Sequence, residues 1–208
     1  MTLVTKFPVA NQAAGAPFNG TWTNPDSAHT DNSTSPTTTT ASQVASGVPG
    51  KNQEYATVWS IPFTTADIPD NSVINSVTVG VEWRVSTTSS VATLQSTAFA
   101  DSAQTTAVSA TPGIQNAAEP TSLAAQTYSA TPTLAQLRDL WVRVQLLRGN
   151  SNTAVTGYLD YVKVTVDWTA GEAPSVSVNA GLASGSGETL APNQAIGVIP
   201  SPPTRMPE

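Results

Sequence analysis

Between residues 73 and 85 the chain reads VINSVTVGVEWRV. Val73, Val77, Val79, Val81, Trp83 and Val85 fall on odd positions, and Ile74, Ser76, Thr78, Gly80, Glu82 and Arg84 on even ones. A period of two with one apolar side is the pattern of a half-buried β-strand, and Val and Trp suit a pleated surface. The turn-forming run Ile68-Pro69-Asp70-Asn71-Ser72 marks where this strand begins. The same alternation predicts a strand over residues 54–63, with Tyr55, Thr57, Trp59, Ile61 and Phe63 on one face and Pro62 at its end. It predicts another over 140–147, with Leu140, Val142, Val144 and Leu146 inward, and a closing one over 155–168. In the latter, Val162, Val164, Val166 and Trp168 oppose Lys163, Thr165 and Asp167. Weaker patterns suggest strands over 2–7, 91–100 and 123–128. Residues 11–20 and 101–120 read as loops, and 33–52 as a Ser/Thr-rich surface excursion with room for one edge strand. The helical signal lies at 133–139, where Thr133 and Gln136 have capping-box spacing.

Seven or eight strands, one short helix and long polar loops are the profile of an all-β antiparallel sandwich of jelly-roll type. The sandwich is expected over residues 1–169. From 170 to 208 the sequence changes to a Gly/Pro/Ser-rich stretch without sustained periodicity, which reads as an extended C-terminal arm. Its apolar residues Val176, Val178, Leu182, Leu190, Ile196, Val198 and Ile199 are spaced too irregularly for an amphipathic helix. The short alternating pieces SVSV (175–178) and AIGVI (195–199) suit strand addition to a neighbour's sheet edge. The prolines at 192, 200, 202, 203 and 207 discourage self-pairing.

Composition narrows the function classes. Charged residues are only 11% of the 208, against a typical value of about a quarter. The net charge is −6 with eight scattered Lys and Arg, which speaks against nucleic acid, whose binders need clustered basic side chains. There is no cysteine, hence no disulfide, thiolate metal site or cysteine nucleophile. No apolar run approaches the ~18 residues of a membrane span. The opening MTLVTKFPVA lacks the charged-then-apolar pattern of an export signal.

Three stretches carry a resemblance: FPxxxxxxGxxFNGTWTNPDSAHTDN, then YATVWSIPFTTADIPDNSVINSVTVGVEWRV, then GYLDYVKVTVDW. In this order the sequence resembles a broad group of tailed-bacteriophage virion proteins, β-sandwiches of the jelly-roll type found among head decoration proteins, head fibres and minor tail proteins. The match runs from Phe7 to Trp168. It is carried by Trp22 with Asn24-Pro25, by Ile61-Pro62-Phe63, by the Ile68-Pro69 turn and by Asp160-Tyr161-Val162. It lapses around Thr37–Thr40 and across residues 101–121. The resemblance implies a structural role in the virion, assembled in the host cytoplasm. Its partners would be major capsid or tail proteins, together with further copies of itself, for instance as a trimer.

Candidate chemistry is sparse. His29 is the single histidine, and with Asp26 and Asp31 it could ligate a divalent ion. Asp and Asn in such a loop more often cap backbone amides, so neither metal nor cofactor is expected. No GxSxG nucleophile elbow is present. Glu82 and Asp160 read as surface charges beside basic residues, not as a paired-carboxylate site. Trp59, Trp83 and Trp168 go with the apolar faces, whereas Trp141 falls opposite the inward residues of its strand, as a possible surface contact. The expectation is a non-enzymatic virion structural protein, a capsid decoration protein docking through its arm. A minor tail or baseplate protein, or a glycan-binding adhesin module with Trp141 in an exposed groove, stands as the alternative.

Overall fold

The computed structural model describes residues 1–31, 41–45, 53–85, 92–109, 113–114, 124–148 and 155–172. The named arm residues, from Val176 to Ile199, lie outside them.

The described strands are β1 (Thr2–Lys6), β2 (Ala10–Ala13), β3 (Ala41–Ala45), β4 (Gln53–Ser60), β5 (Val73–Val85), β6 (Ala92–Phe99), β7 (Gly113–Ile114), β8 (Ala124–Ala130), β9 (Trp141–Arg148) and β10 (Val155–Thr169). They form two five-stranded sheets. One has the order β1-β10-β5-β8, with β3 also on β10; the other has the order β2-β4-β9-β6-β7. Every ladder between strands is antiparallel. This is the all-β sandwich that the alternation predicts. All of it belongs to one compact unit, Met1–Ala173.

The inner faces make the core. Val77, Val79, Val81, Trp83 and Val85 of β5 meet Val162, Val164 and Val166 of β10 on one side, and Trp59, Val142, Val144 and Leu146 face them from the other. Tyr128 crosses the core with its hydroxyl 2.7 Å from Ser96 Oγ, which satisfies two polar groups that would otherwise lie in an apolar layer. Trp22 closes the edge: its Nε1 donates to the Val144 carbonyl at 3.1 Å, and its backbone N–H donates to Thr57 Oγ1 at 3.0 Å.

Two bulges change which side chains face inward. On β5, Ser76 pairs with Asp167 but Ile74 pairs with Trp168, so Asn75 is extra. An extra residue inverts the alternation beyond it. Ile74 therefore packs against the core and Val73, expected inside, is 57% exposed. On β10, Leu159 pairs with Trp83 and Tyr161 with Glu82, leaving Asp160 as the extra residue.

Other expectations need correction. Residues 11–13, read as loop, join Ala10 to form β2 against β4; the strand is made by backbone pairing, since ANQA has no apolar alternation to announce it. The face of β4 opposite Trp59 is not solvated, because Ala56 and Val58 are fully buried. The segment at 133–139 is a 3-10 turn over Gln136–Asp139. Its capping box is formed as expected: Thr133 N–H donates to Gln136 Oε1 at 2.8 Å and Gln136 N–H to Thr133 Oγ1 at 3.3 Å. The Asn24-Pro25-Asp26 turn opens a second 3-10 segment, Pro25–His29, with Asn24 in the left-handed region at φ 51°. The edge strand allowed for in 33–52 is β3, and the rest of that excursion lies outside the described residues.

Candidate functional site

The bulge at Asp160 makes the most chemically dense spot of the described residues. β1 pairs with β10 from Val164 onward and β3 pairs with it up to Leu159, so residues 160–163 lie in a gap between two short strands on one side of β10. The chain leaving the Pro25–His29 segment brings Asp31 to this gap. One carboxylate oxygen each from Asp31, Glu82 and Asp160 lies within 4.8 Å of the others. Asp160 is 1% exposed and Glu82 is half-buried, so the expectation that these two are surface charges is overturned. The bulge turns Asp160 away from the solvated side of an otherwise regular strand.

The electrostatics follow from this crowding. Burial, and then the Asp160 carboxylate beside it, push the Glu82 carboxyl up to about 7, while Lys163 pulls weakly the other way. The nearby cations are already engaged with rings: Lys163 Nζ lies 4.2 Å from the Tyr161 centroid and the Arg84 guanidinium 3.9 Å from that of Tyr158. Phe7 meets Tyr161 edge-on at 6.2 Å. An all-carboxylate donor set can share a proton or ligate a hard cation.

The sequence candidates separate. His29 does not join Asp31. It lies 3.2 Å from Asn11 Nδ2 and 3.8 Å from Asp26 Oδ1, on the segment that plugs the side of the sandwich, where the Pro25 carbonyl accepts from Trp59 Nε1 at 3.1 Å. Trp141 does stand opposite the inward residues of β9, as expected, and is half-buried with its Nε1 donating to Asp139 Oδ1 at 2.7 Å. Beside it on that face are Ser60 and Phe99, its ladder partners on β4 and β6. The acid cluster was not legible in the sequence, because one extra residue in a ladder sets Asp160 beside Glu82 and a loop distant in the chain brings Asp31 to them.

A second surface is the open edge of the first sheet. β1 is the terminal strand of its path. Its one charged residue, Lys6, points inward to Asp67 at 2.8 Å. Leu3, opposite Asp167, is 67% exposed, and Val73, opposite Thr169, is 57% exposed. An edge strand whose one charge is engaged within the fold, with apolar side chains on its sheet, is a template for pairing.

No family model matches the sequence, and no curated protein does. Among solved structures, the chain is similar to one described as the xylan-binding module CBM15, at 13% identity and a TM-score of 0.42, over 83% of this chain and 99% of that one. It is also similar to one described as "CBM4 structure and function", at 16% identity and a TM-score of 0.39, over 64% of this chain and 87% of that one. A third is the enzymatically active domain of tailspike protein 4 of bacteriophage CBA120, at 12% identity and a TM-score of 0.35, over 79% of this chain and 19% of that one. These are likenesses in the layering of strands; the sandwich itself is established by the ladders of this chain.

Proposed function

We propose that the chain is a non-enzymatic structural module of a tailed-phage virion, a capsid decoration protein that docks on neighbouring virion subunits. The observation that carries docking is the β1 edge. Natural edge strands are usually blunted by charge, proline or a covering loop. Among the described residues Thr2, Leu3, Val4 and Thr5 have no such guard, because Lys6 is committed to Asp67, and Leu3 is 67% exposed. Strand addition supplies backbone hydrogen bonds along the edge and apolar contact for alternate side chains.

The sequence resemblance supplies the setting, and the residues that carry it serve as framework. Trp22 and Pro25 seal the side of the sandwich. Phe63 and Ile68 offer their carbonyls to Arg138, and Asp160 makes the bulge.

The test is to separate virions of the parent phage into heads and tails and to probe each with antibody against this chain. Signal in heads supports decoration; signal in tails replaces it with a minor tail role; signal in neither overturns the virion reading. Leu3→Lys, which guards the edge with a charge, should weaken recombination of purified chain with depleted particles by at least about tenfold. Its melting temperature should be unchanged.

A further inference from the structure

β9 alternates across its sheet. Val142, Val144 and Leu146 enter the core, and Arg143 stands on the outer face, where solvent would be expected. Two loops fold over it instead. The loop after β2 brings Phe18, whose ring centroid is 5.3 Å from the Arg143 guanidinium carbon. The Phe99 ring lies at 4.9 Å. The loop after β6 brings Gln104, whose Oε1 accepts from Arg143 Nη1 at 3.2 Å and whose Nε2 donates to the Ala14 carbonyl at 3.1 Å. Ala14, Pro17, Phe18, Ala103, Gln104 and Arg143 line a recess of about 160 Å³.

The recess is built, not incidental. Asp101 accepts from the Thr105 and Thr106 N–H groups at 2.9 and 2.8 Å and so pins its loop. Gln12 Nε2 donates to the Ser102 carbonyl at 2.7 Å, joining the loop to β2. Gln104 is held in the left-handed region at φ 60°, a conformation that a non-glycine residue keeps only when its surroundings impose it.

Arg143 lacks a counter-charge there. Among the described residues no carboxylate lies within ion-pair distance of it. Glu54, the acid whose field it feels, accepts instead from Gln145 Nε2 at 3.1 Å. The Arg143 Nε is buried and meets no acceptor. Two aromatic rings stabilise a cation through their faces, but they neither neutralise it nor accept its in-plane N–H groups. Burial accordingly holds its pKa below the ordinary value. What such a guanidinium lacks is a planar anion at its edge, and carboxylate geometry matches that fork.

We propose that this recess binds a small carboxylate, seated on Arg143 beside Phe18, with Gln104 as the second polar contact. The volume admits one small group and not a drug-sized ligand, which needs about 300 Å³ or more. The carboxylate is either a free small acid or one carried on a single sugar ring.

The experiment follows the arginine Nε–Hε resonances of the ¹⁵N-labelled full chain. Sodium acetate and sodium glucuronate are titrated at constant ionic strength, with sodium chloride and neutral methyl glucoside as controls. One resonance, absent from the Arg143→Gln spectrum, should move saturably, with half-saturation on the order of millimolar. Movement with both acids means the carboxylate suffices; movement with glucuronate alone means the ring contributes. Gln104→Leu, which leaves the cation and both rings in place, should weaken the response at least about threefold. It also provides the comparison if Arg143→Gln fails to fold. No saturable movement with either acid, or movement equal to that in sodium chloride, overturns the proposal, as does full binding by a folded Arg143→Gln chain.

Discussion

Glu82 shows how much one position in a ladder decides. In the sequence it is an even-numbered residue of a half-buried strand, next to Arg84, and reads as a solvated charge. In the structure it faces the bulged Asp160, with its carboxyl raised from 4.5 to about 7, first by burial and then by that neighbour. The sign of the consequence is fixed. Between about 4.5 and 7 the folded chain binds a proton that the unfolded chain has released, so folding stability falls as pH rises through this window and stays lowered above it. Glu82→Gln removes that dependence. The variant should be more stable than the parent by about 1 kcal/mol at pH 8, a figure reduced for the part of the side chain in water, and nearly equal to it at pH 4.5. Urea denaturation of both proteins at the two pH values measures the difference; a gap independent of pH would show that Glu82 titrates normally in the folded state.

At the scale of elements, the connection between β4 and β5 is held from outside itself. Arg138, in the 3-10 turn before β9, donates Nη1 to the Phe63 and Thr64 carbonyls at 3.0 and 2.6 Å. Its Nη2 donates to the Ile68 carbonyl at 2.6 Å and to Asp70 Oδ1 at 2.8 Å. Asp67 adds a second tie, accepting from Lys6 Nζ and from the Thr64 N–H. One planar side chain thus gathers acceptors that a loop of this kind would otherwise have to leave to water. Arg138→Ala should lower stability by about 2 kcal/mol, since hydrogen bonds to a charged donor are lost and part-buried carbonyls go unmet. A shift of the urea midpoint with unchanged slope would report it, whereas an unchanged midpoint would mean that the Lys6–Asp67 tie holds the loop alone.

At the scale of the whole molecule, the last strand ends at Thr169, paired with Val73. The chain remains tied down for two residues more: Asn71 Nδ2 donates to the Gly171 carbonyl at 3.3 Å. Gly171 sits so close to Asn71 that a Cβ there would fall 1.8 Å from its carbonyl oxygen, which excludes any larger residue without a shift. A cut beyond this point leaves these ties in place. Deleting Pro174–Glu208 should therefore leave a folded protein whose melting temperature is within a few degrees of the parent's. If the C-terminal stretch adds to docking at the β1 edge as an extended arm, the deletion should also sharply reduce incorporation into particles. A truncated chain that fails to fold while particles tolerate its absence would make the C-terminal stretch an internal part of the fold, against the arm reading.

The sequence by itself determined the strands that bury a face. Alternating Val and Trp in β5 and β10, and the apolar positions of β4 and β9, specify which side turns inward, because a period of two has one burial solution. Thr133 and Gln136 likewise announce their own cap, since both partners lie within one turn. What only the tertiary structure decided are the features whose cause lies elsewhere in the chain. β2 exists because β4 offers it a ladder. Val58 is buried although it lies on the face opposite Trp59. Val73 is exposed, and Asp160 hidden, because single extra residues shift register against a partner strand. Arg143 is enclosed because the loops after β2 and β6 meet over it on the outer face. A local pattern records which side of a strand is greasy; it does not record what lands on the other side.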